Sequence, residues 1–142
     1  MFQRLKALFE KRPLPEFRHS ELGLLTFDSG LWSGKVRRGG RDISFVISGT
    51  ESSPDSILTN ALLSLLHRFP QTESRALQFL YSLDASVAIN EFTFQSVNFL
   101  CLETPDNFTL EFTLKGGSYA IWRVEFESGQ PKYSGRDDGF DD

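Results

Sequence analysis

The sequence predicts an α+β fold in which an antiparallel sheet, built from two three-stranded meanders, flanks a central helical hairpin. Apolar residues alternate with a period of two over residues 24–47 and again beyond about residue 92, which is typical of strands with one buried face. Between these regions they recur at helical spacing. The chain has 142 residues, enough for one domain with a core but too few for two ordinary ones. We therefore expect a single domain over residues 1–142 with the element order βββααβββ.

The stretch WSGKVRRGGRDISFVISG (residues 32–49) is predicted to form a hairpin rather than a phosphate-binding loop. Gly39-Gly40 suits a type I′ turn, because both central residues of that turn need a positive φ. A phosphate-binding loop would start a helix directly after the glycines, whereas residues 42–48 alternate with a period of two. A turn at Ser29-Gly30 adds a third strand. The predicted pairs, which put Trp32 in the core and Phe45 over Gly34, are Arg38–Arg41, Arg37–Asp42, Val36–Ile43, Gly34–Phe45, Trp32–Ile47 and Phe27–Trp32.

Two helices are predicted after this meander. Pro54 and Asp55 are typical of a helix start, and Pro70 is expected to end the first helix. The second helix is predicted to run from about Thr72 to Leu83. The short connection between the two should make them a helical hairpin that lies on the sheet.

A second meander is predicted beyond Phe92. Turns at residues 104–107 and at Gly116-Gly117 separate its three strands. In the register that these turns imply, Trp122 lies on the far, partly polar side of the sheet. The predicted pairs are Cys101–Leu110, Phe99–Phe112, Val97–Leu114, Leu114–Tyr119 and Phe112–Ile121.

The two ends of the chain differ in charge. Residues 1–12 carry a net charge of +3 and have apolar residues at helical spacing, which predicts a short basic amphipathic helix. Such a helix would dock on the domain by its apolar stripe, or contact a membrane or a partner. Residues 130–142 are predicted to be a flexible acidic tail.

Composition excludes several classes of function. A net charge of −4 argues against general nucleic-acid binding, which usually shows a basic excess. No apolar run approaches the roughly 20 residues of a membrane span, and the charged N-terminus does not fit a secretory signal. We therefore expect a cytoplasmic protein.

No catalytic residue, cofactor site or metal site is predicted, and we expect the chain not to be an enzyme. The single cysteine, Cys101, forms no metal-ligand pattern with neighbouring residues. The sequence contains no nucleophile elbow, zinc-protease or P-loop pattern. The carboxylates of the SGRDDGFDD tail do not have the spacing of a calcium-binding EF-hand loop.

Surface recognition remains as the favoured class of function. The acidic body of the chain suits a basic protein partner through electrostatic steering, and tryptophan is enriched at interface hot spots. The candidate interaction surface lies on the second meander and the tail, and consists of Glu111, Trp122, Asp137 and Asp138.

Two alternatives stay open at this point. The first is a small-molecule-binding protein or enzyme with a pocket between the sheet and the helices, in which His67, Cys101 or Glu111 would converge. The second is a structural subunit that forms a homodimer through an exposed sheet face or edge.

The sequence also resembles a group of small bacterial domains. The segments that carry the resemblance are LGLLTFDSGLWSGKV, the later ISFVISG, and YAIWRVEFESGQPKYSG, and together they span most of residues 22–135. These domains of unknown function include families predicted to be immunity proteins of bacterial toxin systems. The resemblance implies a cytoplasmic α+β protein without known enzymatic activity, and it assigns no catalytic residue.

Overall fold

A computed structural model of the chain describes residues 13–83, 92–99, 105–115 and 120–137. These residues form eight strands and two helices. The predicted helix over residues 1–12 lies outside the described residues. In chain order the elements are β1 (Glu16–His19), β2 (Gly23–Asp28), β3 (Leu31–Arg38), β4 (Arg41–Ser48), α1 (Ser56–His67), α2 (Phe69–Leu83), β5 (Phe92–Phe99), β6 (Phe108–Leu114), β7 (Ile121–Glu127) and β8 (Gln130–Asp137).

All eight strands belong to one mixed sheet, with the spatial order β1-β2-β3-β4-β5-β6-β7-β8. The predicted architecture of two three-stranded meanders in an antiparallel sheet is therefore wrong. Every neighbouring pair is antiparallel except β4 and β5, which are parallel and fuse the two halves of the chain. Helices α1 and α2 form the crossover between them, because a parallel connection must return the chain to the same end of the sheet.

Two strands were missed at the edges of the sheet. Strand β1 lies in the segment PLPEFRHSELG, where proline and charge mask its four-residue pattern. Strand β8 occupies residues 130–137, which had been assigned to the flexible tail. Short or polar edge strands give a weak alternation signal because only part of each strand contacts the core.

The β3–β4 hairpin confirms the predicted register in full. Arg38 opposes Arg41 and Trp32 opposes Ile47, while Gly39 and Gly40 both have positive φ. Trp32 is completely buried, and its indole Nε1 donates to the Thr50 carbonyl oxygen at 2.8 Å. The register could be read from sequence because the two-residue turn fixes it locally.

The basic residues of this hairpin have structural partners rather than a phosphate site. Arg37 forms an ion pair with Asp42 at 3.3 Å. Arg41 pairs with Glu73 of α2, and its guanidinium carbon lies 5.0 Å from the centre of the Phe69 ring. These contacts tie the hairpin to the first turns of α2.

The predicted registers of the second half are wrong. Val97 pairs with Leu110 rather than Leu114, and Phe112 pairs with Trp122 rather than Ile121. A bulge between Phe94 and Ser96 shifts the first ladder. A slip of one residue moves a strand's side chains to the opposite face, so Trp122 lies on the apolar face instead of the far side.

The helices cover one face of the sheet. Asp55 caps α1 by accepting a hydrogen bond from the Leu58 amide at 3.0 Å, and Pro70 lies in the first turn of α2, where it needs no hydrogen-bond partner. The apolar face of α1 packs against the inward-facing strand residues in one cluster. The largest fully buried side chains are Trp32, Phe45, Phe99, Phe112 and Phe126.

The opposite face of the sheet, called the open face below, carries no buried side chain among the described residues. Its central residues are polar and half-buried, and Ser44, Ser96 and Glu111 lie in one cross-strand row. None of the helices in the described part of the chain has the length and apolar character needed to span a membrane.

Replacing Gly34 by alanine should destabilise the fold. A Cβ atom at Gly34 would lie 2.7 Å from Cζ of the buried Phe45 and 3.2 Å from the Leu24 carbonyl oxygen. Because the core must shift to admit it, we expect Gly34→Ala to lower the free energy of unfolding by about 1–3 kcal/mol in urea titrations.

Gly135 on β8 provides the matched control. A Cβ atom there would meet nothing within 4 Å, so Gly135→Ala should change the free energy of unfolding by less than about 0.5 kcal/mol. Equal effects of the two substitutions would show that Phe45 does not cover Gly34 tightly.

Candidate functional site

A straight row of side chains crosses the second half of the open face. Asn98 of β5 opposes Thr109 of β6, Thr109 opposes Glu125 of β7, and Glu125 opposes Tyr133 of β8. Directly opposed residues share one face of a sheet. The four side chains therefore project together on the side away from the helices.

This row borders a recess of about 190 Å³. One water molecule occupies about 30 Å³ in the liquid, so the recess has room for the head group of a side chain. Glu125 and Glu127 bring two exposed carboxylates to its rim, and the Tyr133 side chain is 58% exposed beside them. The full lining is Asn98, Asn107, Phe108, Thr109, Glu125, Phe126, Glu127 and Tyr133.

Asn98 supplies the recess with an unused acceptor. Its side-chain oxygen Oδ1 is buried and has no hydrogen-bond partner. Buried polar atoms almost always have a partner, and an exception calls for an explanation. Asn98 itself borders the recess, so a small rotation of its amide would present this oxygen to a donor there.

The rim carboxylates also lack a cation. Among the described residues, the acids in ion pairs are Asp42, Glu73 and Glu111, and neither Glu125 nor Glu127 is one of them. The recess thus presents two unpaired carboxylates, a carbonyl oxygen and an aromatic ring. This arrangement suits a cationic group that donates hydrogen bonds, such as a guanidinium or an ammonium.

Asn107 has a structural role at the end of the recess, because its side-chain oxygen is already used in a hydrogen bond. Its side-chain oxygen accepts a hydrogen bond from the Ser128 amide at 3.0 Å, and the Asp106 carbonyl accepts one from the Gly129 amide at 3.1 Å. These bonds fix the turn between β7 and β8 against the start of β6.

The predicted surface residue Glu111 has a structural role on the open face. Its two carboxylate oxygens accept hydrogen bonds from Ser96 Oγ at 2.8 Å and from Arg123 Nε at 2.9 Å. Glu111 thereby links β5, β6 and β7. Its charge is matched by Arg123, so it adds little to an acidic surface.

Of the other residues of the predicted surface, the structure places the Trp122 side chain on the opposite face of the sheet from Glu111. Trp122 is half-buried on the helix-covered face, with its ring centre 5.5 Å from that of Phe92 and 5.3 Å from the Arg136 guanidinium. The backbone of Asp137 pairs with Ile121 at the end of β8. Asp138 lies outside the described residues.

Of the three residues of the pocket alternative, the two that the structure describes lie apart. His67 is exposed at the end of α1, Glu111 lies on the open face, and Cys101 falls outside the described residues. Within the described ranges, no three His, Cys, Asp or Glu side chains are grouped so that they could hold a metal ion.

Sequence reasoning missed the recess because its residues come from four strands. Tyr133 falls in the segment that the sequence predicts as a flexible tail. The one local signal was the alternation VEFESGQPKY, in which a turn at Ser128-Gly129 brings Tyr133 back towards Glu125. The partner of Asn98 could not be predicted, because its register depends on where the chain turns between β5 and β6, and the predicted turn at residues 104–107 misplaced it by four residues.

In comparisons with known proteins, the chain matches no family model, no curated protein and no solved structure. The function must therefore be argued from the geometry of the site.

Replacing Glu111 by glutamine should weaken the fold. The substitution removes the negative charge that faces the half-buried Arg123 and weakens two charge-assisted hydrogen bonds. We expect Glu111→Gln to lower the free energy of unfolding by about 1–3 kcal/mol, measured by chemical denaturation.

Glu125→Gln is the control for this prediction, because Glu125 is exposed on the same face without an ion-pair partner. Its effect should stay within about 0.5 kcal/mol. A stability loss as large for Glu125→Gln as for Glu111→Gln would contradict a specific role for the Glu111 network.

Proposed function

We propose that the protein is a cytoplasmic, non-enzymatic binding module that recognises a basic protein partner through the open face of its sheet. The observation that supports this proposal is the recess bordered by Asn98, Glu125, Glu127 and Tyr133. A basic side chain of the partner would enter it, and the surrounding polar strand surface would contact the partner's backbone and polar groups.

The chemistry of the recess favours a cationic side chain. A guanidinium that enters it would place donors near the Glu125 and Glu127 carboxylates and near the unpartnered Asn98 oxygen. The exposed Tyr133 ring would supply a cation–π surface. Because burial of a charge requires hydrogen bonds as well as a counter-ion, the combination of these groups favours arginine over a neutral side chain.

The resemblance to predicted immunity proteins fits the same proposal. An immunity protein binds and blocks a toxin, and an acidic recess would suit a basic toxin surface by electrostatic steering. The net charge of −4 supports the same choice of partner. We propose immunity-like binding as the biological setting of the recess.

The direct test uses a minimal cationic probe. We expect acetyl-Ala-Arg-Ala-amide, titrated into ¹⁵N-labelled protein, to shift the amide resonances of Asn98, Thr109, Glu125 and Tyr133. The double substitution Glu125→Gln/Glu127→Gln should weaken this binding about threefold or more, as expected when two exposed ion pairs are lost. The probe with glutamine in place of arginine should not bind.

A second variant with the same net charge as the recess variant tests whether binding depends on the recess carboxylates or only on the overall charge of the protein. Glu16 and Glu21 are exposed near β1, at the other edge of the sheet. Glu16→Gln/Glu21→Gln should leave the binding of the arginine probe unchanged. If this variant weakens binding as much as the recess variant does, or if the shifts appear elsewhere, the recess is not the site.

The natural partner can then be sought with the same pair of variants. The tagged protein should retain a stoichiometric basic protein from a bacterial lysate at low salt and release it at high salt. The recess variant should not retain that protein, whereas the variant at Glu16 and Glu21 should. Equal retention by both variants would contradict recognition through the recess.

A further inference from the structure

A larger groove lies on the helix-covered side of the molecule. Its volume is about 480 Å³, which is within the roughly 300–1,000 Å³ of small-molecule sites. One wall is formed by α1 and the start of α2. The other is formed by the end of β5, the turn before β6 and the turn between β7 and β8. The residues that line it are Ala61, Ser64, Leu65, Arg68, Gln71, Thr72, Arg75, Phe99, Pro105, Asp106, Phe108, Ser128, Gly129 and Gln130.

The helical wall of the groove is cationic. Arg68 lies at the junction of α1 and α2, and Arg75 lies two helical turns further along, with Gln71 between them. Arg68 is the C-cap residue between the two helices, and Arg75 lies inside α2. Both side chains are exposed, and neither takes part in an ion pair among the described residues.

Arg75 is held in position by a neutral partner. Its Nη2 donates a hydrogen bond to Oε1 of Gln130, at the start of β8. The bond fixes the guanidinium across the groove without neutralising it. Asp106 carries a carboxylate in the lining, so the two guanidinium groups leave a positive balance there. This balance contrasts with the net charge of −4 of the whole chain.

The opposite wall combines apolar residues, Pro105 and Phe108, with the polar turn residues Asp106, Ser128 and Gln130. Phe99 and Leu65 are buried beneath the groove, and Phe108 packs against Phe99 with ring centres 5.3 Å apart. A ligand in the groove would therefore meet the half-buried Phe108 and Pro105 on one side and two hydrogen-bonding cations on the other. Small-molecule sites commonly combine an apolar lining with a few placed polar groups.

We propose that this groove binds a small organic anion, in which a carboxylate, sulfonate or phosphate monoester is attached to an apolar body. The anionic group would lie between Arg68 and Arg75, because the planar guanidinium donates paired hydrogen bonds to such oxygens. The apolar body would pack on Phe108 and Pro105. This site is separate from the recess, which lies on the other face of the sheet.

The test uses 8-anilinonaphthalene-1-sulfonate, a fluorescent aromatic sulfonate, titrated into the full chain. We expect saturable binding, and we expect Arg68→Gln/Arg75→Gln to weaken it about tenfold or more, because two charge-assisted contacts are removed. Removing two positive charges elsewhere, with Lys35→Gln/Lys115→Gln, should leave the dissociation constant unchanged. Both lysines are exposed and outside the groove.

Two further measurements distinguish a built site from general dye adsorption. N-phenyl-1-naphthylamine has the same aromatic framework without the sulfonate, and its binding should not change in Arg68→Gln/Arg75→Gln. Unfolding midpoints of all variants should match that of the wild-type protein, because partly folded chains also bind such dyes. The proposal would be overturned if the arginine and lysine variants lost affinity for the sulfonate probe to the same extent. It would also be overturned if the neutral probe bound with the same affinity as the sulfonate and depended on the arginines in the same way.

This experiment is independent of the test of the recess. The arginine variant leaves Glu125 and Glu127 intact, and the recess variant leaves Arg68 and Arg75 intact. Failure of the groove proposal would therefore say nothing about the binding of a basic partner on the open face.

Discussion

The parallel pairing of β4 and β5 is the constraint on which the rest of the structure depends. It places Phe45 beside Val97 and Ile47 beside Phe99, so two halves that would each form an antiparallel sheet share one core. A parallel pair needs a crossover of about a dozen residues or more, and α1 and α2 supply it. Both helices of the described residues lie on the same side as this core, so neither of them covers the other face of the sheet.

A sheet face without a helix above it must satisfy its polar groups internally, with water or with a partner. In the middle of the open face, Ser96, Glu111 and Arg123 do so internally, through hydrogen bonds that cross three strands. One row away, Asn98 and Glu125 do not. The contrast between these adjacent rows distinguishes polar residues that hold the sheet together from polar residues that are available for binding.

A strand register could be predicted from the sequence only where the residues that fix it lie close together in the chain. The β3–β4 register was predictable because Gly39-Gly40 fixes it within the hairpin. The register of β5 was not, because residues 100–107 separate it from β6 and contain no two-residue turn signal that fixes the pairing. The pairing of β4 with β5 joins residues about 50 positions apart, and no local pattern encodes it. The recess could not be predicted for the same reason, because Asn98 and Tyr133 fall in one cross-strand row only when every register from β5 to β8 is correct.

The two proposed sites lie back to back at one end of the sheet. Phe108 lines both of them, and it packs between Phe99 and Phe126, whose ring centres lie 5.3 Å and 4.6 Å from its own. The sheet at this end therefore separates a carboxylate-rimmed recess from an arginine-lined groove. The net charge of −4 is the sum over the whole chain and does not show that one of these surfaces is acidic and the other basic. Since a ligand on either side would contact the same aromatic stack, the packing of Phe108 is the structural element that the two sites share.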